Sequence, residues 1–432
     1  MDKIIIRGGR PLHGEIEVSG AKNAALPFLF AALLTEEECR FTNMPRVVDI
    51  RTALHLLTEL GVEAEWRDDN EVVLRAPSVR HLEAPYELVK TMRASFLVLG
   101  PLLARFGRAR VSTPGGCAIG TRPVDIHLAG LQQLGAEIRL QEGYVEARAS
   151  RLRGARISLD FSSVGATENL MMAASLADGP SQIENAACEP EIVALQTLLN
   201  AMGARVSGAG GPVIRIDGVA RLHGAEQRVI PDRVEAGTFL IAGAMTSGQV
   251  FVRGARADHL DAFVQKLRAT GIGLEIEADG IAVKGDERPS RVDVITWPYP
   301  GFPTDLQAQM MALLTLGEGR SLITETVFEN RFMHAQELAR LGADIHIRHN
   351  TAAVNGVAML SGAPVMATDL RASVSLILAG LAAQGKTEVS RVYHLDRGYE
   401  KIEEKLSQLG ADIRRVSAEK DGATEERRRT VV

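Results

Sequence analysis

Six segments of the chain are apolar nearly all round, and they recur at similar intervals along its 432 residues. We predict that each is a helix buried in a core, because a helix without a polar face has no side to present to water. The six segments are Ala24–Leu34, Ala94–Leu103, Leu170–Leu176, Gly237–Met245, Ala308–Leu316 and Ser373–Ala382. A short strand is predicted after each of them, usually past a turn that contains glycine. These strands are Cys39–Thr42, Ala109–Ser112, Gln182–Asn185, Gln249–Arg253, Ser321–Thr324 and Thr387–Ser390.

A second pattern has the same period. An amphipathic helix follows each predicted strand, and the apolar face of one such helix carries Leu260, Phe263, Val264 and Leu267. A glycine then precedes the next strand in every unit. These glycines are Gly61, Gly135, Gly203, Gly271, Gly342 and Gly410, at intervals of 74, 68, 68, 71 and 68 residues. We expect each to lie at the C′ position in the left-handed conformation, where the helix ends and the chain turns.

The two patterns together divide the chain into six units of about 70 residues. A period this long is unlike the short repeats of solenoids, so a closed arrangement is favoured over an open array. Apolar helices and sheets with polar faces predict helices inside and sheets outside. Because single cores stop growing beyond roughly 250–300 residues, six units should divide into two lobes of three. The predicted fold class is mixed α/β (α+β).

Composition narrows the possible functions. A net charge of −5 gives no general basic field for nucleic acid, so that any anion site must be local. The three cysteines are too few and too scattered for a disulfide framework, and the histidines lack the spacing of metal ligands. No phosphate-binding loop or dinucleotide fingerprint is present in the sequence. We therefore expect no metal or other cofactor and no nucleic-acid partner.

The location of the protein is predicted from its apolar stretches. The apolar run near the N-terminus is too short for a signal peptide. The longest apolar stretch, Ala24–Leu34, falls short of the roughly 20 residues that span a membrane. A cytoplasmic, reduced protein without membrane attachment is expected. Residues 417–432 are charged and aperiodic, which predicts a disordered tail.

Polar residues stand at the starts of the predicted buried helices: Lys22, Asn23, Arg93, Asp305, Asp369 and Arg371. Helix N-termini favour bound anions, and cations placed there would strengthen the effect. The alternative is that these residues are caps and surface ion pairs. That alternative is favoured for Asp305 and Asp369, because aspartate is common at helix starts. It is weaker for the cations, since they oppose the helix dipole.

Loops after the short strands add further candidates. Cys117 lies among glycines in the stretch from Pro114 to Asp125, five residues before Arg122. A thiol near a fixed cation suits acid–base or covalent chemistry on an anion, although the loop alone is equally compatible with a surface turn. The sixth unit carries Arg397 in the equivalent loop. If the units are equivalent, these cations suit a ligand with several negative charges. Cys39 and Cys188 are interpreted as packing residues.

Specific motifs resemble the enolpyruvyl transferase family from about Met1 to Val416. They are Gly20–Ala24, Pro114–Asp125, Ser163–Asn169, Pro303–Gln307, Thr324–Phe332 and Ala367–Ala372. The resemblance implies a two-domain fold of inside-out α/β barrels (an alpha-beta prism) with three units in each. It also implies a discontinuous domain of residues 1–21 plus 230–416 and a second domain of residues 22–229.

The motifs are most similar to the enolpyruvyl transferases that act on UDP-N-acetylglucosamine. The resemblance implies transfer of the enolpyruvyl group of phosphoenolpyruvate to the 3-hydroxyl of the sugar, with release of phosphate, through a tetrahedral intermediate. This would be the first committed step of peptidoglycan precursor synthesis. One alternative is a 3-phosphoshikimate 1-carboxyvinyltransferase on the same fold, which the cysteine loop argues against. Another is a non-catalytic UDP-sugar-binding paralogue. The oligomeric state stays open.

The resemblance also implies roles for individual residues. Cys117 would protonate phosphoenolpyruvate or add to it, and would react with the epoxide fosfomycin, while Asp305 would take the proton of the sugar hydroxyl. The implied phosphoenolpyruvate-binding residues are Lys22, Asn23, Cys117, Arg122 and Arg397. Of these, Lys22 and Arg397 are also implied to be catalytic, because they would stabilise charge in the tetrahedral intermediate. The implied UDP-sugar contacts are Asn23, Arg93, Arg122, Pro123, Val124, Asp125, Ile126, Ser163, Val164, Gly165, Thr304, Asp305 and Val327, with Asp369 and Arg371 in support. Some family members have a lysine where this chain has Phe161 and Ser162, so that no side-chain contact to the diphosphate is carried over there.

Overall fold

Two compact units make up the chain. The computed structural model describes residues 2–67, 70–114, 124–328 and 330–417. The residues up to Val18 and those from Pro231 onward form the first unit, and the described residues between Ser19 and Ile230 form the second. Each unit has its own hydrophobic core. The predicted tail lies outside the described residues from position 418 onward. No helix in the described part of the chain is long and apolar enough to cross a bilayer.

Each unit contains three separate four-stranded sheets, so that its described strands do not join into one closed barrel. In spatial order, the sheets of the second unit are Glu226–Arg228, Cys39–Thr42, Glu71–Arg75 and Glu63–Arg67; Glu83–Ala84, Arg108–Ser112, Tyr144–Arg148 and Glu137–Gln141; and Arg156–Ser158, Pro180–Glu184, Val213–Asp217 and Arg205–Ser207. Those of the first unit are Pro364–Met366, Lys386–Ser390, Lys3–Arg7 and Asp412–Val416; Gly273–Ile276, Gly280–Lys284, Gln249–Arg253 and His13–Glu17; and Val294–Ile295, Arg320–Thr324, Thr351–Asn355 and Asp344–Arg348. In every sheet one edge strand is parallel to its neighbour and the other pairings are antiparallel.

The predicted buried helices are confirmed; five of them start earlier than predicted, and the second starts later as an α-helix. Their bounds are Lys22–Ala31, Leu99–Phe106, Val164–Ala174, Arg233–Met245, Gln307–Leu314 and Leu370–Ala382. Every residue from Val234 to Met245 is buried, as a helix without a polar face requires. Short 3₁₀ segments extend three of the six: Ala32–Leu34, Arg93–Val98 and Thr304–Leu306. The second helix becomes α-helical only at Leu99, and Pro101 then falls in its first turn, where a missing N–H costs no hydrogen bond.

Amphipathic helices complete the units. Their bounds are Val48–Leu60, Asp125–Gln133, Pro190–Ala201, Asp261–Ala269, His334–Arg340 and Ile402–Gln408. Three further short elements are Tyr86–Val89, Ala257–His259 and Val392–Arg397. The predicted left-handed glycines are confirmed, with φ between 87° at Gly271 and 101° at Gly61. The same local signal thus ends a helix and starts a hairpin six times along the chain.

The N-terminal segment belongs to the first unit. Lys3–Arg7 lies between Lys386–Ser390 and Asp412–Val416 and pairs with both. His13–Glu17 is the parallel edge strand beside Gln249–Arg253. Five aliphatic side chains of this segment are at most 5% exposed: Ile4, Ile6, Leu12, Ile16 and Val18. The first residues of the chain therefore complete two sheets formed by its second half.

Candidate functional site

The carboxylate of Asp305 lies between two arginines of the first unit. Arg331 donates from Nη2 to Oδ1 at 2.6 Å, and Arg371 donates from Nη2 to Oδ2 at 3.2 Å. Both arginine side chains are only 5% exposed, whereas that of Asp305 is 27% exposed. The carboxylate therefore faces solvent on one side and two buried cations on the other.

Electrostatics keep Asp305 ionised. Burial by itself would raise the pKa of the carboxyl, but the charges of Arg371 and Arg331 outweigh it and hold the pKa well below its usual range. A carboxylate in this state accepts hydrogen bonds strongly and accepts a proton weakly. Asp305 does not cap a helix, because the N-cap of its 3₁₀ turn is Pro303. The capping interpretation is therefore wrong for this aspartate.

Asp369 does cap a helix. Its side chain accepts hydrogen bonds from the backbone N–H groups of Arg371 and Ala372, at 2.9 and 3.0 Å. The cap fixes the first turn of the helix from which Arg371 reaches Asp305. One terminal nitrogen of Arg371, Nη1, is buried and has no hydrogen-bond partner among the described residues.

A buried carboxylate joins two predicted contacts of the UDP-sugar. Glu325 is 2% exposed; its Oε2 accepts from the Thr304 hydroxyl at 2.8 Å and its Oε1 accepts from the Val327 N–H at 2.8 Å. Thr304 also accepts from Arg331 Nη1 at 2.7 Å. Sequence reasoning assigned no role to Glu325 or Arg331. The sequence feature that could have identified them is the motif from Thr324 to Phe332, in which both residues lie.

Arg397 ends the 3₁₀ segment Val392–Arg397 and is half-buried. His394 lies near it, and burial is the main reason that the pKa of this histidine is lowered. The charge of Asp369 opposes the effect, and that of Arg397 adds to it. Arg397 thus lies in the electrostatic neighbourhood of the helix start that carries Arg371.

In the second unit, Lys22 opens its helix as predicted and forms a buried ion pair. Its Nζ lies 2.9 Å from Oδ2 of Asp49, and the side chains are 11% and 4% exposed. Asn23, the next residue, is half-buried. A cation at a helix start opposes the dipole, and the Asp49 carboxylate offsets that cost.

A buried histidine organises the other predicted contacts of the second unit. The Gly100 N–H donates to Asn169 Oδ1 at 2.7 Å, so that the amide nitrogen, 3.1 Å from His127 Nδ1, is the donor. The neutral ring therefore carries its proton on Nε2. Gly165 lies against this ring, since an added Cβ there would meet it at 3.4 Å.

The environment keeps His127 neutral. Burial, followed by the positive charge of Arg93, lowers the pKa of this histidine to about 3. Its neighbours Asp125 and Ile126 begin the same helix, and Ser163 caps the helix of Gly165 by accepting from the Ala166 N–H. The structure thus places two predicted UDP-sugar contacts of this unit, Arg93 and Gly165, near one buried ring that sequence reasoning missed.

A second missed residue is Glu168. It is 3% exposed, and its Oε1 has no hydrogen-bond partner among the described residues. Burial, then the charges of Glu191 and Glu189, raise the pKa of this carboxyl well above its usual value. The sequence feature that could have identified Glu168 is its position in the motif from Ser163 to Asn169.

The remaining predicted residues are placed unit by unit. Cys117, Arg122 and Pro123 lie outside the described residues. Val124 and Val164 are half-buried at the starts of their helices. Predicted contacts of the first unit lie around Asp305 and Glu325. In the second unit, Arg93 and Gly165 lie near His127, and Lys22 pairs with Asp49.

Comparison with known proteins adds independent information. A family model described as EPSP synthase (3-phosphoshikimate 1-carboxyvinyltransferase) matches residues 6–406. Three similar proteins are each named UDP-N-acetylglucosamine 1-carboxyvinyltransferase. That of an Anaeromyxobacter species is 60% identical over 422 residues, 97% of this chain and 100% of its own length. That of Trichlorobacter lovleyi is 58% identical over 418 residues, 96% and 100% of the two chains. That of Myxococcus xanthus is 56% identical over 420 residues, 97% and 100%.

Solved structures agree on the fold. The enolpyruvyl transferase NikO from Streptomyces tendae matches with a TM-score of 0.88 and 27% identity, covering 96% of this chain and 99% of its own. EPSP synthase from Acinetobacter baumannii matches with a TM-score of 0.77 and 18% identity, covering 96% and 100%. The second likeness concerns the fold alone.

Proposed function

Because the chain belongs to the EPSP synthase family of enolpyruvyl transferases, and within it to the UDP-N-acetylglucosamine 1-carboxyvinyltransferases, we propose that it transfers the enolpyruvyl group of phosphoenolpyruvate to the 3-hydroxyl of UDP-N-acetylglucosamine. Phosphate is released, and the product enters peptidoglycan precursor synthesis. The observation that carries the choice of acceptor is the identity of 56–60% over nearly the whole chain to relatives named for it.

The reaction is an addition followed by an elimination. The C3 methylene of phosphoenolpyruvate gains a proton, and C2 becomes electrophilic. The sugar oxygen bonds to C2 while its hydroxyl proton leaves, which gives a tetrahedral intermediate. Loss of a proton from C3 and of phosphate from C2 then restores the double bond. Cys117 is the proposed proton donor, because a thiol with an ordinary pKa near 8.5 is mostly protonated at neutral pH.

Asp305 is the proposed acceptor of the sugar proton. Its depressed pKa makes it a weak base while Arg331 and Arg371 hold it. An anionic substrate that takes over part of these arginine contacts would raise the pKa of the carboxyl and make it a stronger base. The buried, unpartnered Nη1 of Arg371 supports such a contact. Binding of the anion would thus activate the base.

Substrate contacts complete the proposal. Lys22, Asn23, Arg122 and Arg397 hold the phosphate and carboxylate of phosphoenolpyruvate and stabilise charge in the intermediate. The proposed UDP-sugar contacts are Asn23, Arg93, Arg122–Ile126, Ser163–Gly165, Thr304, Asp305 and Val327. Support comes from the convergence of several of these residues on His127 and on Glu325.

Phosphate release with each acceptor tests the assignment. We expect release from phosphoenolpyruvate with UDP-N-acetylglucosamine and none with shikimate 3-phosphate. Release with shikimate 3-phosphate alone would overturn it. Binding of the UDP-sugar without any release would instead indicate a non-catalytic paralogue.

Within the same assay, Cys117→Ala should lower the rate at neutral pH at least roughly 10²-fold, because general acid catalysis is worth that much. Calorimetric affinity for UDP-N-acetylglucosamine should stay within about twofold, since the thiol acts on the other substrate. Cys188→Ala is the matched control and should be unaffected. Fosfomycin labelling at Cys188 or Cys39, rather than Cys117, would contradict the assignment of the thiol.

A further inference from the structure

Glu325 is a buried carboxylate without an ion pair among the described residues of the chain. It follows the strand Arg320–Thr324 and is 2% exposed, so it does not face solvent or a ligand. Its two oxygens nevertheless accept four hydrogen bonds. A charged group in such a position is retained only if its bonds are made, because burying it is otherwise costly.

One oxygen of Glu325 controls the direction of a hydrogen-bond chain to Asp305. The Thr304 hydroxyl has a single proton and donates it to Oε2 at 2.8 Å. Its oxygen is then left to accept from Arg331 Nη1, at 2.7 Å. The other end of the same planar guanidinium donates to Asp305 Oδ1 at 2.6 Å. The carboxylate of Glu325 therefore sets the orientation of Arg331, and through it the position of Asp305.

The other oxygen of Glu325 holds the backbone that carries Val327. Oε1 accepts from the N–H groups of Val327 and Phe328 at 2.8 and 3.2 Å, and from the Thr296 hydroxyl at 2.7 Å. Thr296 in turn accepts from the Thr326 N–H at 2.9 Å. One carboxylate thus fixes the loop and the helix start together.

Glu325 is itself rigidly held. Its backbone N–H donates to the Asn350 carbonyl at 2.8 Å, and its carbonyl accepts from Asn350 Nδ2 at 3.1 Å. The strand end, the helix start at Thr304 and the loop of Val327 are therefore tied to one point. A small displacement of Glu325 would therefore shift all the acceptor-sugar contacts proposed for the first unit.

We propose that Glu325 is a positioning residue that sets the acceptor-sugar contacts of the first unit without touching either substrate. It acts through Thr304 and Arg331 on Asp305, and through the backbone on Val327. The inference rests on the proposed function, since it assigns these three residues to UDP-N-acetylglucosamine. It goes beyond that function in naming the group on which their geometry depends.

Glu325→Gln tests the proposal with little change of shape. The amide oxygen can replace Oε1, but the amide nitrogen then faces Thr304 as a donor, and the threonine proton must turn toward Arg331. We expect the KM for UDP-N-acetylglucosamine to rise about tenfold and kcat to fall, while the KM for phosphoenolpyruvate stays within about twofold. The measurement is steady-state phosphate release with each substrate varied in turn.

Two comparisons separate positioning from mere stability. Glu337→Gln removes a carboxylate that accepts from the Met366 N–H at 2.9 Å on an outer helix of the same unit, and should leave both KM values unchanged. Thr296→Val removes the hydroxyl that donates to Glu325, whereas Thr296→Ser keeps it. Because Thr296 is completely buried and cannot touch substrate, only the valine variant should raise the acceptor KM.

The outcomes are distinct. If the unmodified protein releases no phosphate with UDP-N-acetylglucosamine, the proposed function fails. If it does, and Glu325→Gln leaves the acceptor KM unchanged or raises both KM values equally, the positioning role is overturned. Should Glu325→Gln not fold, the Thr296 pair decides: equal acceptor KM values for the valine and serine variants contradict the proposal.

Discussion

At the scale of single residues, the surroundings of a side chain determine its hydrogen-bond partners, even where residue type and position in a helix are alike. Asp305 and Asp369 both stand at helix starts, where the sequence favours a cap for each. Asp369 is a cap, with two backbone N–H donors on one oxygen. Asp305 instead pairs with Arg331 and Arg371, which are 26 and 66 residues further along the chain. The two aspartates thus have different partners, although both stand at helix starts.

The neutrality of His127 leads to a prediction on pH. Its pKa in the folded chain is about 3, below the ordinary value of 6.5. Below pH 6.5 the imidazole therefore binds a proton in the unfolded chain but not in the folded chain, so that acid favours unfolding. We expect this one residue to lower the free energy of unfolding by up to about 1.4 kcal/mol per pH unit as the pH falls from 6 to 4.

Urea unfolding of His127→Gln across that pH range measures the effect. Because glutamine cannot take up the proton, the slope of the free energy of unfolding against pH should be smaller by the contribution of one proton. His55→Gln, which replaces an exposed histidine of the same unit, is the control. Identical slopes for His127→Gln and the unmodified protein would contradict the buried, neutral ring.

At the scale of elements, six helix ends share one device. The glycine after each amphipathic helix has a φ near +90°, and around Gly410 there is nothing within 4 Å of an added Cβ. The cost of a side chain at Gly410 is therefore conformational and not a clash. The sequence predicted these helix ends because the helix, the glycine and the following strand are determined by residues close in the chain.

Gly410→Ala should lower the free energy of unfolding by about 1 kcal/mol, because an L-residue pays roughly that to become left-handed. Gly410→Asn should cost less, since asparagine tolerates this conformation. Gly273→Ala is a matched control with an ordinary φ and no contact of its Cβ closer than 3.5 Å. Denaturant unfolding measures all three, and equal stability of Gly410→Ala and the unmodified protein would show that the turn is unstrained.

At the scale of the whole molecule, the N-terminal segment completes a unit made from the second half of the chain. Lys3 lies opposite Val416 in the antiparallel pairing, so the strand that ends at Val416 and the strand that begins at Lys3 meet at one end. The buried residues of the segment include Ile4, Ile6 and Leu12, which are at most 1% exposed. At about 1.5–3 kcal/mol for each buried aliphatic side chain, losing them would remove much of a typical stability.

A permuted fragment tests this organisation. Residues 231–417, joined by a short glycine-containing turn to residues 2–18, should fold cooperatively on their own. The same fragment without residues 2–18 should not, because two sheets lose a strand. Circular dichroism during thermal unfolding distinguishes the outcomes, and a cooperative transition in the shorter fragment would contradict the prediction.

The sequence by itself determined the six units, the buried helices and the glycine turns, because all three depend on periodicities among residues close in the chain. It also marked the helix starts on which the candidate residues stand. The resemblance of its motifs indicated the chemistry, and the relatives at 56–60% identity agree with it.

Only the tertiary structure decided which of those residues act together. The pairing of Asp305 with Arg371, the bond of His127 to Asn169 and the bond of Glu325 to Thr304 join positions 66, 42 and 21 residues apart. Such partners are selected by packing between elements, which no local pattern contains. For the same reason, the charge of a carboxyl or an imidazole here follows from burial and neighbouring charges, and not from residue type.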